Sequence, residues 1–264
     1  MLSPSTDVFR YARAAVDAWC GEHVRLSGAS LHVPGPRRIR LSVVGGNLRI
    51  HRLIDALAGP GSTVVDVGAN IGYNAVYAAR RVGSSGRVFA SEPAADNLAV
   101  LERNIAAARL SNVIVYPVAA GRARGSRRFY LRGETSAVNS LYPQSCYASV
   151  TDILDVPIER LDDLVDDGAD LVKIDVEGAE LEVLEGMTRL LRRSGLALIV
   201  EWHPRLQAMA GYEPDALPRW LIERGWKLHA ASHLQTQGCT ADDLPEMSAR
   251  LARAGRPVEL VARR

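Results

Sequence analysis

No stretch of this chain approaches the ~20 consecutive apolar residues that a membrane-spanning helix requires, so no transmembrane segment is expected. Residues 9–19, FRYARAAVDAW, are interrupted by charge too often for a signal peptide. Cysteine is scarce. Cys20, Cys146 and Cys239 are far apart, odd in number and outside any C-x-x-C spacing, which argues against a disulfide framework and against a zinc knuckle. A reducing, cytoplasmic setting is the simpler expectation. Charge of one sign is missing too: 32 basic and 30 acidic residues leave a net charge of +2, and no Lys/Arg block forms a phosphate-tracking stripe. Nucleic acid is therefore not an expected partner. There is no internal repeat and no low-complexity tract. What is present, 264 residues at 47% hydrophobic and 23% charged, is the make-up of a globular chain with one sizeable core.

Apolar residues at three- and four-residue spacing (Val8, Ala12, Ala15, Val16, Trp19) predict an amphipathic helix over 6–20. Extended pieces over 24–41, broken by Pro34-Gly35-Pro36, precede a second helical pattern over 47–58 that stops at Gly59-Pro60-Gly61. Residues 1–60 read as an entry segment packed on the core, with no chemistry assigned. From Ser62 the pattern alternates: strands at 62–66, 87–91 and 112–118 with helices at 71–82 and 95–108. This βαβαβ rhythm specifies a parallel sheet with helices on both faces and right-handed crossovers. Residues 121–157 interrupt it, with strands at 126–131 and 150–156 around a Ser/Asn/Tyr/Pro-rich stretch, 135–149. Strand 170–175, helix 179–193, strand 196–200, helix 215–224 and strands 226–229 and 258–262 complete it. The expected fold is α/β: a Rossmann-like, seven-stranded sheet flanked by helices, spanning 61–264, with an insertion after the third core strand that lies near the substrate site.

The first constellation is Val64-Val65-Asp66-Val67-Gly68-Ala69-Asn70-Ile71-Gly72, a buried strand running into a small-residue turn that opens a helix. Twenty residues after Gly72, Glu92 ends the next strand, where a carboxylate can accept from both hydroxyls of a ribose. A dinucleotide site wants glycine at the middle of the loop so that pyrophosphate can approach, and here that place holds Asn70. The pattern points to an adenosyl ligand without pyrophosphate, S-adenosylmethionine (SAM), held by Asp66, Gly68, Asn70, Gly72 and Glu92. Ala119, among the small residues closing the third strand, is placed at the adenine edge. Asp96 and Asn97 are read as caps of the helix that follows Glu92.

The second constellation, Leu171-Val172-Lys173-Ile174-Asp175-Val176-Glu177-Gly178-Ala179-Glu180, ends a buried strand in an acid at the sheet edge where α/β folds bind ligands. Asp175 and Glu177 are site candidates, Glu177 toward substrate. Glu180 and Glu182 are read as favourable charges at a helix N-terminus, worth ~0.3–1 kcal/mol each. One strand later Glu201 and His203 reach the same edge, and strands ~4.8 Å apart would let Asp175, Glu201 and His203 converge. With an ordinary pKa of ~6.5, His203 is the preferred general base for a hydroxyl attacking a sulfonium methyl. The same trio would suit a divalent metal, which is not expected. In the insertion, Asn139 and Ser140 are candidate substrate contacts, against a plain turn.

Taken together, Asp66 to Gly72, Glu92-Pro93, Leu161-Asp162-Asp163-Leu164, Val172 to Glu180 and Leu184-Glu185-Gly186 resemble the FkbM family of SAM-dependent methyltransferases over about 61–229. The resemblance implies a class I methyltransferase fold, O-methylation of a sugar or natural-product hydroxyl, and cofactor binding by Asp66, Gly68, Asn70 and Glu92. The stretches 135–149 and 230–256 and the first fifth of the chain are individual, so the acceptor is open, as is the oligomeric state. The expected partner is a small-molecule or glycan acceptor. Two rival readings are a non-catalytic SAM-binding protein and an NAD-linked oxidoreductase; Asn70 speaks against the second.

Overall fold

The computed structural model describes residues 23–26, 29–34, 37–132, 138–146, 148–166, 168–231 and 236–264. The helix expected over 6–20, Cys20, and parts of 135–149 and 230–256 lie outside those residues. A short hairpin of β1 (His23–Leu26) and β2 (Ala29–His32) leads into helix α1 (Arg37–Leu57). The extended stretch expected to run to residue 41 is thus corrected: the helix starts at Arg37 and not at 47. Proline is tolerated near a helix start, so the sequence Pro34-Gly35-Pro36 does not exclude a helix that opens at Arg37. Gly45-Gly46, each costing ~1 kcal/mol against alanine, masked the first turns in the sequence. Ile50 and Ile54 of α1 are buried in one core cluster with Val64, Val76, Val82 and Val88.

The central sheet is made of β3 (Thr63–Val67), β4 (Arg87–Ser91), β5 (Val113–Tyr116), β9 (Leu171–Ile174), β10 (Ala197–Trp202), β11 (Lys227–Ala231), β12 (Thr236–Cys239) and β13 (Val258–Arg263). Their spatial order is β12-β11-β13-β10-β9-β3-β4-β5. β3, β4, β5, β9 and β10 pair in parallel, and β13 slips antiparallel between β10 and β11. Strands buried on both faces read as unbroken apolar runs: Leu171, Val172 and Ile174 are each fully buried. The expected seven strands become eight, because β12 pairs antiparallel with β11 at the edge. Its residues, Thr236-Gln237-Gly238-Cys239, carry no apolar alternation to betray a strand.

The chain leaves β3 for β4 and β5 on one side and returns to β9 on the other. That reversal is a topological switch point, where the loops after β3 and β9 part and open a crevice at the carboxyl ends of the strands. Helix α2 (Tyr73–Val82) follows the first loop and α3 (Ala95–Ala107) follows β4. The third strand ends early: Ala119–Ala120 forms β6 and joins β7 (Gly125–Arg132) and β8 (Val150–Glu159) in a separate three-stranded sheet. A short helix, α4 (Leu161–Leu164), leads from β8 toward β9.

This inserted sheet is fastened to α5 (Glu180–Glu185) by Glu182, which takes two hydrogen bonds from Arg127 Nη1 at 2.9 and 2.8 Å and one from the Tyr142 hydroxyl. Glu182 lies in the first turn of α5, as expected, and also anchors the insertion. The helix expected over 179–193 stops at Glu185 and resumes as a single 3₁₀ turn at Leu190–Arg192. The interruption lies at Gly186, where a Cβ would sit 2.0 Å from the Gly121 carbonyl oxygen at the root of the insertion. Gly186→Ala is expected to destabilise the fold by about 1–3 kcal/mol, as overpacking against backbone does. Chemical denaturation checks this, and an unchanged midpoint would contradict it.

Candidate active site

The loop after β3 is built for close approach. Gly68 adopts φ +76°, and a Cβ there would stand 2.0 Å from the Asp175 carbonyl oxygen, so only glycine lets the β3 and β9 loops meet. The N–H groups of Gly68 and Ala69 donate to the Ser91 carbonyl at 3.1 and 3.0 Å, tying the loop to the end of β4. Asn70 stands at φ 51°, a conformation that asparagine tolerates better than most residues. Its backbone N–H donates to Glu92 Oε2 at 3.0 Å. Gly72, φ +82°, has another function: a Cβ there would reach 2.3 Å from Leu101 Cδ1, so it lets α2 and α3 pack.

Glu92 is 4% exposed. Its Oε1 accepts from the Ala94 N–H and from Asn97 Nδ2, each at 3.0 Å. Three donors thus hold the carboxylate in one orientation, and a carboxylate with about four lone-pair sites keeps capacity for a further hydroxyl. Burial raises its pKa, and the bonds from Ala94, Asn97 and Asn70 oppose that rise. Asn97 accordingly orients Glu92 and does not cap the helix. Asp96 lies inside the first turn of α3, with Ala94 in the cap position and no side-chain cap bond.

At the end of β9 a residue that sequence reasoning passed over takes the central place. Lys173 Nζ lies 3.3 Å from Asp66 Oδ1 and 3.2 Å from Asp175 Oδ2, with its side chain 4% exposed. Burial opposes its charge, yet Asp175 and Asp66 together hold its pKa above the ordinary lysine value. A lysine inside the apolar run Leu171-Val172-Lys173-Ile174 was the available signal, since such a residue is seldom buried unless paired. Beyond it, Glu177 stands at φ 56°, a left-handed conformation uncommon for a residue other than glycine. Glu180 holds this turn: its Oε1 accepts from the N–H groups of Val176 and Gly178 at 3.2 and 3.0 Å, and Gln207 Nε2 donates to Oε2 at 2.9 Å. Burial lifts the Glu180 carboxyl to about 7. Besides standing in the first turn of α5, it shapes the turn that presents Glu177.

These loops enclose an open cavity of about 900 Å³, solvent-side space included. Gly68, Asn70 and Glu92 line one part, and Lys173, Asp175 and Glu177 line the part beside it, where the two loops meet. Ala119, with Phe129, Asn139 and Leu141 of the insertion, closes a third. Asn47 of α1, with Tyr73 and Asn74 of α2, completes it; these have no sequence signature, because tertiary packing alone brings them here. Asp66 and Gly72 do not line the cavity. Ser140 lies behind the wall, its hydroxyl donating to the Glu177 carbonyl at 2.7 Å.

Glu201 and His203 are not cavity-lining residues either. Register places Val200 beside Ile174, so Glu201 adjoins Asp175, and carboxylate oxygens of Asp175, Glu177 and Glu201 all lie within 4.8 Å of one another. His203 does not join that set. It occupies the cap position of α6 (Pro204–Met209), 3% exposed, with Nε2 3.8 Å from Cys146 Sγ, and burial lowers its pKa. The convergence expected of Asp175, Glu201 and His203 therefore holds for the two acids, with Glu177 in the place of the histidine. The strand ends at Trp202, and the chain turns there into the helix that His203 caps.

A parallel sheet with an antiparallel last core strand, a glycine-bearing first loop and an acid ending the second strand make up a class I methyltransferase. The chain belongs to the methyltransferase FkbM family, whose domain matches residues 66–228. It is a SAM-dependent methyltransferase. A similar protein is the hexuronic acid methyltransferase AglP of Haloferax volcanii, 30% identical over 188 residues that make up 70% of this chain and 71% of AglP. Methyltransferase 1 of Beauveria bassiana is 28% identical over 146 residues, 48% of this chain and 58% of that protein. Among solved structures, the FkbM methyltransferase of Methylobacillus flagellatus KT is 16% identical with a TM-score of 0.46, covering 87% of this chain and 55% of that one.

Lys173 is the cation that makes buried Asp66 tolerable. Lys173→Met is expected to cost about 3–5 kcal/mol of stability, the usual penalty for leaving one partner of a buried ion pair uncompensated. Urea unfolding measures it; a loss under about 1 kcal/mol would show that the pair does not hold the β3–β9 junction.

Proposed function

We propose that the cavity binds SAM with its ribose on Glu92 and adenine beside Ala119, and that the methyl group passes to a hydroxyl of a sugar. The observation that carries this reading is Glu92, fixed by three N–H donors in a cavity that Lys173, Asp175 and Glu177 also line. The backbone of Gly68 to Asn70 lies where the methionyl part of the donor would run. The acceptor would enter between the insertion, through Phe129, Asn139 and Leu141, and the wall of Asp175 and Glu177.

In the reaction the acceptor oxygen attacks the methyl carbon in line with the carbon–sulfur bond. That bond breaks, the sulfonium becomes a neutral thioether, and the hydroxyl proton leaves along the acidic wall. Most of the rate comes from holding donor and acceptor in line, an effect worth up to ~7–11 kcal/mol. His203 lies off the cavity, so proton acceptance falls to the carboxylates of the wall in preference to the histidine. A sugar acceptor is supported by the name of the Haloferax volcanii relative, a hexuronic acid methyltransferase. Between the two kinds of oxygen such a sugar carries, the neutral hydroxyl is favoured, because an acceptor carboxylate would meet like charge at Asp175 and Glu177, while Lys173, which also lines the cavity, is already shared between Asp66 and Asp175.

Methyl-labelled SAM, offered to the purified chain with uronic-acid-containing glycans and nucleotide sugars, is expected to label a sugar ether. Glu92→Ala is expected to weaken SAM binding at least about tenfold, the loss of one to two hydrogen bonds to a charged acceptor. Tight binding of NAD without SAM, or SAM binding with no transfer to any acceptor, would contradict the reading.

A further inference from the structure

The hairpin of β1 and β2 lies outside residues 66–228, which match the family domain, yet one side chain ties it to the loop after β3. Asn104, in the last turn of α3, is 1% exposed and does not line the cavity. Its Nδ2 donates to the Ile71 carbonyl at 2.8 Å and to the His32 carbonyl at 2.9 Å, and its Oδ1 accepts from the His32 N–H at 2.7 Å. An amide has two N–H donors, and both are used here. The exchange with His32 copies the N–H and C=O pairing between strands, so the side chain binds the end of β2 much as a further strand would. Ile71 stands between Asn70, whose N–H donates to Glu92, and Gly72, which lets the loop close on Leu101. Leu101 lies one turn before Asn104 on the same helix face. Leu31 and Val33, on either side of His32, join Ile71 and Leu101 in one core cluster. The loop is thus pressed between the hairpin and α3, with Asn104 as the polar tie. Packing alone would call for an apolar side chain, because a buried amide costs free energy unless its groups find partners.

We propose that Asn104 is a positioning residue for the donor loop, and that through it the hairpin holds that loop in the shape that receives SAM. The proposal rests on the donor reading above, with ribose held on Glu92. Glu92 owes one of its three N–H donors to Asn70, whose φ of 51° must be held by its surroundings. The bond to Glu92 fixes the peptide before Asn70, and the bond from Asn104 fixes the peptide after Ile71. The left-handed residue is therefore held from both sides. Without Asn104 the second hold is lost, and order that the loop no longer carries must be supplied when the donor binds, which weakens binding. Linkage makes the effect reciprocal: a bound donor steadies the hairpin.

The probe is S-adenosylhomocysteine, offered to the full chain, so no acceptor is needed. Calorimetric titration of Asn104→Ser and Asn104→Asp, at a temperature where melting curves show each variant folded, is expected to give affinities at least about fivefold weaker than wild type. In the wild type, amide exchange followed by nuclear magnetic resonance is expected to slow at His32 on ligand binding by more than it slows in β11, which lies near the sheet edge opposite β5. Asn104→Ser is expected to lose that difference. A residue serving stability alone would lower the melting temperature and leave both the affinity and the His32 response as in wild type, and that result would overturn the proposal. If neither variant folds, the wild-type exchange decides: equal slowing at His32 and in β11 overturns it. A wild-type chain with no affinity for S-adenosylhomocysteine would overturn the donor reading and this proposal with it, whereas tight binding unchanged by both substitutions overturns this proposal alone.

Discussion

Lys173 holds the site together by a single buried charge. Placed on β9, it reaches Asp66 on β3 and Asp175 just past its own strand, so the two strands flanking the switch point share one cation. Both loops that form the crevice leave from this junction. The Gly68 loop passes against the Asp175 carbonyl with no room for a side chain, and the turn that presents Glu177 starts one residue beyond Asp175. Neither loop can move without disturbing the ion pair beneath it. Buried charges of this kind are expensive, so their presence at a ligand-binding edge is better explained by positioning than by stability.

From that junction the two halves of the site have different physical characters. The Glu92 side is a web of hydrogen bonds from neutral donors: backbone N–H groups on Ser91 and Glu92, with Asn97 steadying the acid. The side of Lys173, Asp175 and Glu177 is charged and crowded, and it lies by an inserted sheet that Glu182 clamps to the core through Arg127 and Tyr142. The division suits a family with a common donor and varied acceptors, because the inserted sheet can change while the web stays.

Much of the Glu92 side of the cavity was legible in the sequence, because its parts are local. Asp66 to Gly72 and Glu92 announce themselves by spacing along βαβ units, whose geometry repeats from protein to protein. The parallel core was legible for the same reason. What escaped depended on chain segments far apart: Lys173 acquires meaning only when β3 lies beside β9, and Asn47, Tyr73, Phe129 and Leu141 meet the cavity through packing. His203 was expected beside Asp175 and Glu201 from the spacing of neighbouring strands, but the strand ends at Trp202 and the chain turns into α6 there. Edge strand β12 and the first turns of α1 were hidden by weak local preference, polar residues in one and a glycine pair in the other.

The central claim is spatial: one cavity at the switch point holds the donor by Glu92 and turns its sulfur toward the acidic wall. A crystal structure of the chain with S-adenosylhomocysteine tests it most directly. The account predicts both ribose hydroxyls within hydrogen-bond reach of the Glu92 carboxylate, with the sulfur facing Asp175 and Glu177. A ligand bound elsewhere, or bound here with its ribose away from Glu92, would contradict it.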